Sequence, residues 1–288
     1  LIMLLIPVTV ILRFWLFRNS KDIDLYYSLP ISRRKLYLSQ LLFGVLQLIL
    51  TWTVMYLLSL FLFSALTDGY FFETKLYMIY LVILGFIVIL YAITQFFFLQ
   101  GNTIVDGIVF IALFHIFLLF ISAFLTHSIF RQIGIYDAFM INPFYALSIY
   151  VVHFLHYAVP NHPGVLWFSE RTYIQSLINT LFYFTLGVLF VWLSYTFIHK
   201  EKTEHIGRIS HSLFGYRLLV PLTILFATAS IYFPRSNTSL IGVTMIVAAG
   251  FIGFFIYRRS VKIKWIDVFS IIIPMLLGML TNTILQSL

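Results

Sequence analysis

Long apolar runs alternate with short polar breaks along the whole chain. The runs cover residues 1–17, 41–66, 76–99, 103–126, 173–198, 218–233, 240–257 and 266–285. A helix needs roughly 20 residues to cross a hydrocarbon core about 30 Å thick, so each run predicts a membrane-spanning helix. The breaks carry boundary signals of their own. Thr67-Asp68-Gly69 ends the second run, and Tyr70, Phe71 and Phe72 after it suit an aromatic belt at a membrane interface. Gln100-Gly101-Asn102 reads as a tight turn, and Asp106 just beyond it suits the positive end of the next helix, as a cap ahead of a proton carrier. The first run is only just long enough, and Leu1-Ile2-Met3 starts inside it with no charged leader, so upstream residues are expected to be missing.

Residues 127–173 behave differently. Turn signals stand at Gly134, Asn142-Pro143 and Pro160 to Gly164, and the apolar stretch 144–159 is broken by His153 and His156. That stretch is short for a span, and a re-entrant or interfacial element fits better. Charge decides the matter. If the stretch does not cross, all of the 18 basic residues except Lys75, Arg131, Arg171 and Arg235 fall on one side. If it does cross, the division becomes ten to eight. Basic residues mark the cytosolic side, so the expectation is an all-α polytopic membrane protein with about eight spans and an outer re-entrant element over 131–171. Leu288 is then outside.

Composition agrees with that class. Of the 288 residues 61% are hydrophobic and 10% charged, and the mean hydropathy is +1.01. A soluble domain carries about 25% charged residues. A formal charge of +8 is also what nucleic-acid binders carry, but its placement makes it an orientation signal. With no cysteine there is no disulfide or thiol chemistry, and the wealth of Phe, Tyr and Ile points to a bacterial source.

Candidate chemistry concentrates in residues 20–40, the longest polar interruption of the first third. Asp22 and Asp24 favour the start of a short helix, and Pro30 ends it. The helix would carry Ile23, Leu25, Tyr26, Tyr27 and Leu29, side chains too apolar to be idle on a solvated surface, so a protein partner is expected there. Ser32 caps a second helix whose first turn holds Arg33, Arg34 and Lys35. Cations are disfavoured at that end by up to ~1 kcal/mol. Anionic headgroups can offset this at ~1 kcal/mol per basic residue, so these three, with Arg258 and Arg259, read as an inner-face lipid anchor.

Other chemistry is sparse. No HExxH, GxSxG, acidic diphosphate-binding cluster or GxxxxGK[ST] loop is present, so any work done with ATP needs a site on another polypeptide. His115 is the one clear mid-span ionisable group and reads as a neutral histidine bonded to a neighbouring helix, which speaks against a proton-driven pump. His153, His156 and His162 are a poor metal set with no acid or cysteine near in sequence. Ala249 and Gly253 form a small-xxx-small pair for close helix packing.

The order of these parts resembles the ABC-2 type permease fold of bacterial ABC exporters. YSLPISRRKLYLSQLLFG, Tyr27 to Gly44, is similar to the LP-x-SRR-x-L-(Y/F) pattern of permeases from Gram-positive bacteria. EKTEHIGR, with Glu201, Glu204, Gly207 and Arg208, is similar to a stretch found in members with extra C-terminal spans. The resemblance implies a permease core over 1–198 lacking its first span, a coupling helix at 22–30, an outer element at 131–171, a cytosolic linker at 199–217 and three additional spans over 218–288. It also implies separate ATPase subunits holding ATP and Mg²⁺, a second permease copy or paralogue, and no cofactor or catalytic site on this chain. The cargo would be hydrophobic or amphipathic, such as a peptide, antimicrobial or lipid-like molecule. The rivals are a secondary transporter and a non-transporting membrane scaffold or sensor.

Overall fold

The computed structural model describes residues 2–19, 30–66, 74–125, 170–198, 210, 212, 214–230 and 237–287. Every element among them is helical: α1 (Ile2–Phe14) with a 3-10 turn (Trp15–Phe17), α2 (Arg33–Leu66), α3 (Thr74–Gln100), α4 (Ile104–Phe124), α5 (Glu170–Phe197), α6 (Tyr216–Ser230), α7 (Asn237–Arg258) and α8 (Trp265–Ser287). Each lies on one of the apolar runs. Four stretches, Arg33–Leu62, Tyr80–Gln100, Ile104–Phe124 and Trp265–Ile284, are long and apolar enough to cross a membrane. The expected outer element lies outside the described residues, apart from Glu170 and Arg171, which open α5.

One element is longer than its run for a physical reason. Residues 33–40 and the span expected from 41 form one uninterrupted helix of 34 residues, about 50 Å long, because nothing between Ser32 and Leu66 breaks the pattern. α6 is described over Tyr216–Ser230, with Pro221 in its first half. It packs against α4, α7 and α8, and Leu219, Val220, Ile224, Ala227, Thr228 and Ala229 are buried.

The chain divides into two compact units. The first contains α1, α2, α3 as far as Phe96, and α5. α3 is its core: Ile83, Phe86 and Ile87 are buried, then every residue from Ile89 to Phe96, which is why the run is apolar on all faces. Tyr80 meets Thr53 (2.6 Å between hydroxyls) and Tyr91 lies against Gly44, so α2 and α3 run antiparallel. Phe86 meets Tyr183 (5.5 Å), Ile89 faces Gly187 and Gln95 meets Ser194, so α3 and α5 run parallel.

The second unit continues from Phe97 with α4, α6, α7 and α8. Phe110 stacks edge-on with Tyr216 (4.7 Å), Phe117 with Phe226 (5.7 Å), and Ser230 Oγ donates to the Phe120 carbonyl (2.9 Å), so α4 and α6 run parallel. Val220 faces Gly253 while Ile224 faces Gly250 and nears Ile271, and Thr228 faces Gly278. α7 therefore opposes α6 and α8 accompanies it. The close-packed face of α7 is Gly250 and Gly253. Ala249, expected as half of the small pair, is exposed, because helical spacing puts 250 and 253 on the face toward α6.

Candidate functional site

The helix ends that carry basic residues hold polar clusters. In the first unit, Arg13 at the end of α1 donates from Nε and Nη2 to Gln47 Oε1 (3.1 and 2.8 Å) and lies over the Phe43 ring (5.9 Å). Phe14 packs on Phe17, Tyr37 and Tyr91 (5.9, 5.9 and 6.4 Å). The end of α1 and the start of α2 are thereby clasped where the chain enters and leaves residues 20–29. Behind the clasp, Gln95 Nε2 donates to Ser194 Oγ (3.2 Å). The Tyr37 hydroxyl lies toward Ser194 and Gln95, and the Tyr91 hydroxyl is buried without a hydrogen-bond partner among the described residues.

α2 starts as its sequence dictates. The Lys35 amide points at Ser32 Oγ (3.4 Å) and the Leu36 amide donates to the Ser32 carbonyl (3.1 Å), which makes Ser32 the cap. In this first turn Lys35 is exposed, Arg33 is partly buried, and the Arg34 guanidinium lies over the Tyr195 ring of α5 (5.0 Å). Part of the cost of placing cations at a helix start is thus offset by a cation–π contact within the protein. Pro30 is exposed. Asp22, Ile23, Asp24, Leu25, Tyr26, Tyr27 and Leu29 lie outside the described residues, as do Glu201, Glu204, Gly207 and Arg208.

The second unit gathers four sequence-distant segments at one end. The Gly101 amide donates to the Phe98 carbonyl (3.2 Å) in the tight turn between α3 and α4. Thr103 caps α4, accepting from the Asp106 amide (3.1 Å) and donating to Asp106 Oδ2 (2.8 Å), a local capping pair. Tyr216 at the start of α6 donates to Asp106 Oδ1 (3.2 Å), and Arg259 just past α7 lies 3.7 Å from Oδ2. Ser210 Oγ donates to the Gln100 carbonyl (2.8 Å) and Ser212 Oγ to Gln100 Oε1 (2.5 Å). Arg18, nearly fully buried, donates to the Leu99 carbonyl.

Several of these roles exceed what the sequence suggests. Asp106 is a cap as expected, but also a buried hub for two other segments, through Tyr216 and Arg259. Arg259, expected at the lipid surface, is drawn to Asp106 and takes a left-handed backbone (φ 52°) that ends α7. Arg13 and Arg18 make protein contacts as well as marking a boundary. His115 Nδ1 meets the carbonyl of Ile111 in its own helix (2.8 Å). An acid alone in an apolar helix and serines at 210 and 212 were the available signals. What they lacked was any indication of which segments would converge.

No three His, Cys, Asp or Glu residues stand close enough to hold a metal among the described residues, and His153, His156 and His162 lie outside them. The Asp267 carboxylate, buried at the start of α8, accepts from the Lys264 amide (3.1 Å) and closes that helix end. What the clusters offer chemically is mechanical: they fix helix ends to one another by polar bonds in surroundings where few alternatives exist. No family model, no curated protein and no solved structure matches the chain.

Proposed function

We propose that the chain is the membrane-spanning permease subunit of an ATP-driven exporter of the ABC-2 type, residing in a bacterial cytoplasmic membrane. Residues 22–30 dock a separate ATPase subunit, which holds ATP and Mg²⁺, and a second permease copy or paralogue completes the pathway. The chain itself carries out no catalysis. The cargo is hydrophobic or amphipathic: a peptide, an antimicrobial or a lipid-like molecule.

The observation that carries this reading is the continuity of α2. It runs without a break from Arg33, three residues past Pro30, to Leu66. A push on residues 22–30 therefore acts on the end of a stiff rod about 50 Å long, with the end of α1 clasped to its start by Phe14 and Tyr37. An ATPase needs such a rod to move the spans.

Helix direction supports the proposed order of eight crossings. That order requires α3 and α5 to run the same way, and α4 and α6 the same way. Both pairs are parallel within their own units. A secondary transporter would need a buried ionisable group left available for coupling. Asp106 and Asp267 are the buried acids among the described residues, and both close helix starts.

Co-purification with the candidate ATPase tests the docking assignment, comparing the native chain with one carrying Tyr26→Ala, Tyr27→Ala and Leu29→Ala together. The expected outcome is loss of the ATPase from a triple variant that remains folded by thermal unfolding. Retention would remove residues 22–30 from the docking role. If no ATPase accompanied even the native chain, the scaffold or sensor reading would replace the transporter.

A further inference from the structure

The connection between α7 and α8 has an unusual surface. From Arg259 to Ile266 the sequence reads RSVKIKWI, with basic and apolar residues interleaved. Val261, Ile263, Trp265 and Ile266 are 78%, 56%, 79% and 72% exposed, and Lys262 and Lys264 are exposed between them. Two large apolar side chains on a polar connection and two more in the first turn of α8 are costly in water, and are placed to advantage at the boundary of a bilayer.

Charge selects the kind of boundary. Arg217 is exposed at the start of α6, and the contacts of Tyr216 with Tyr257 (4.9 Å) and with Asp106 put it at the same end of the unit as Arg259. The acids described in this unit, Asp106 and Asp267, are each only 3% exposed and face inward. The outer surface here is thus basic, with the carboxylates withdrawn from it. A free phosphate would satisfy the lysines but leave Val261, Ile263 and Trp265 in water.

We infer that the α7–α8 connection is a site for anionic lipid headgroups, with Val261, Ile263, Trp265 and Ile266 entering the acyl boundary and Lys262 and Lys264 holding the phosphates. Lysine stems lie along apolar surface while their ammonium groups reach the headgroups, so alternation of the two residue types serves both contacts. Lys262 and Lys264, exposed on the connection itself, are the principal headgroup ligands, with exposed Arg217 and Arg259 at the same end of the unit. The site rests on the membrane orientation proposed above and is independent of transport.

The absence of cysteine permits a unique label. The full chain carrying Val261→Cys with a nitroxide is placed in vesicles of phosphatidylcholine containing increasing phosphatidylglycerol, and label depth is read from collisions with oxygen and with a water-soluble nickel chelate. The label should sit below the phosphates once phosphatidylglycerol is present. Adding Lys262→Gln and Lys264→Gln, which change only exposed side chains and keep the Lys264 backbone bonds, should raise the phosphatidylglycerol fraction for half-burial at least about fivefold, one lysine's share. A label that stays in water in every vesicle, while a control label at Met245→Cys in the middle of α7 lies in hydrocarbon, overturns the lipid site alone. A control label in water overturns the membrane reading itself. Immobilisation of residue 261 only when ATPase subunits are added would assign the patch to protein contact and overturn the lipid site.

Discussion

Asp106 has more depending on it than any other acid described. Its carboxylate accepts from Tyr216 and Thr103 and lies beside Arg259, so three segments lose a partner when it is removed. The buried Tyr216 hydroxyl would then be stranded, so Asp106→Ala should cost about 2–4 kcal/mol. Arg259 contributes far less, because its side chain is 50% exposed and the ion pair is long at 3.7 Å. Arg259→Gln should cost under about 1 kcal/mol. Thermal unfolding in detergent ranks the two, and equal losses would refute the account of Asp106 as a hub. The sequence revealed the cap because Thr103 and Asp106 are three residues apart. It hid Tyr216 and Arg259 because they are more than a hundred positions away, and no local pattern reports such pairing.

Among the elements, α2 has the greatest mechanical consequence. Ser39 lies between the basic first turn and the apolar stretch, and its hydroxyl bonds back to the Leu36 carbonyl (2.9 Å). Proline there removes a backbone hydrogen bond and clashes with the preceding turn, at a cost of about 3 kcal/mol. Under the proposed permease reading, with a nitroxide at exposed Phe61→Cys in each copy of a dimer, ATP should change the inter-label distance in Ser39→Ala and leave it fixed in Ser39→Pro, while the ATPase stays bound to both. An unchanged response in the proline variant would show that force does not travel along this helix. Helix positions were readable because apolar runs and polar breaks alternate so plainly. The continuity of 33–40 with 41–66 was harder to see, since the polar residues Ser39 and Gln40 resemble a boundary yet are compatible with helix.

At the scale of the whole molecule, the proposed topology places residues 31, 204 and 260 on one face of the membrane and residues 75 and 236 on the other. Single cysteines at Ile31, Glu204 and Ser260 should react with a membrane-impermeant maleimide from the cytosolic side only, and those at Lys75 and Ser236 from the opposite side only. Labelling of 236 and 260 from one side would dissolve the eight-crossing order. Charge counting predicts this pattern without any coordinates, whereas the convergence of residues 100, 106, 210, 216 and 259 at one end of the second unit supports it by a separate route. The candidate docking segment stays legible only from its sequence, because Asp22 to Leu29 fall outside the described residues.

Gly44 and Tyr91 bear on how such a protein can move. The Tyr91 hydroxyl occupies the space that a side chain at 44 would need, so tyrosine and glycine fit as a peg in a hole. One turn along α2 in either direction stand Gln40 and Leu48, each with a bulky side chain in place of the hole. Shifting α3 by a turn would drive the peg into one of them. The two helices are thus keyed in a single register, and whatever stroke α2 receives is passed to α3 as a movement of the pair.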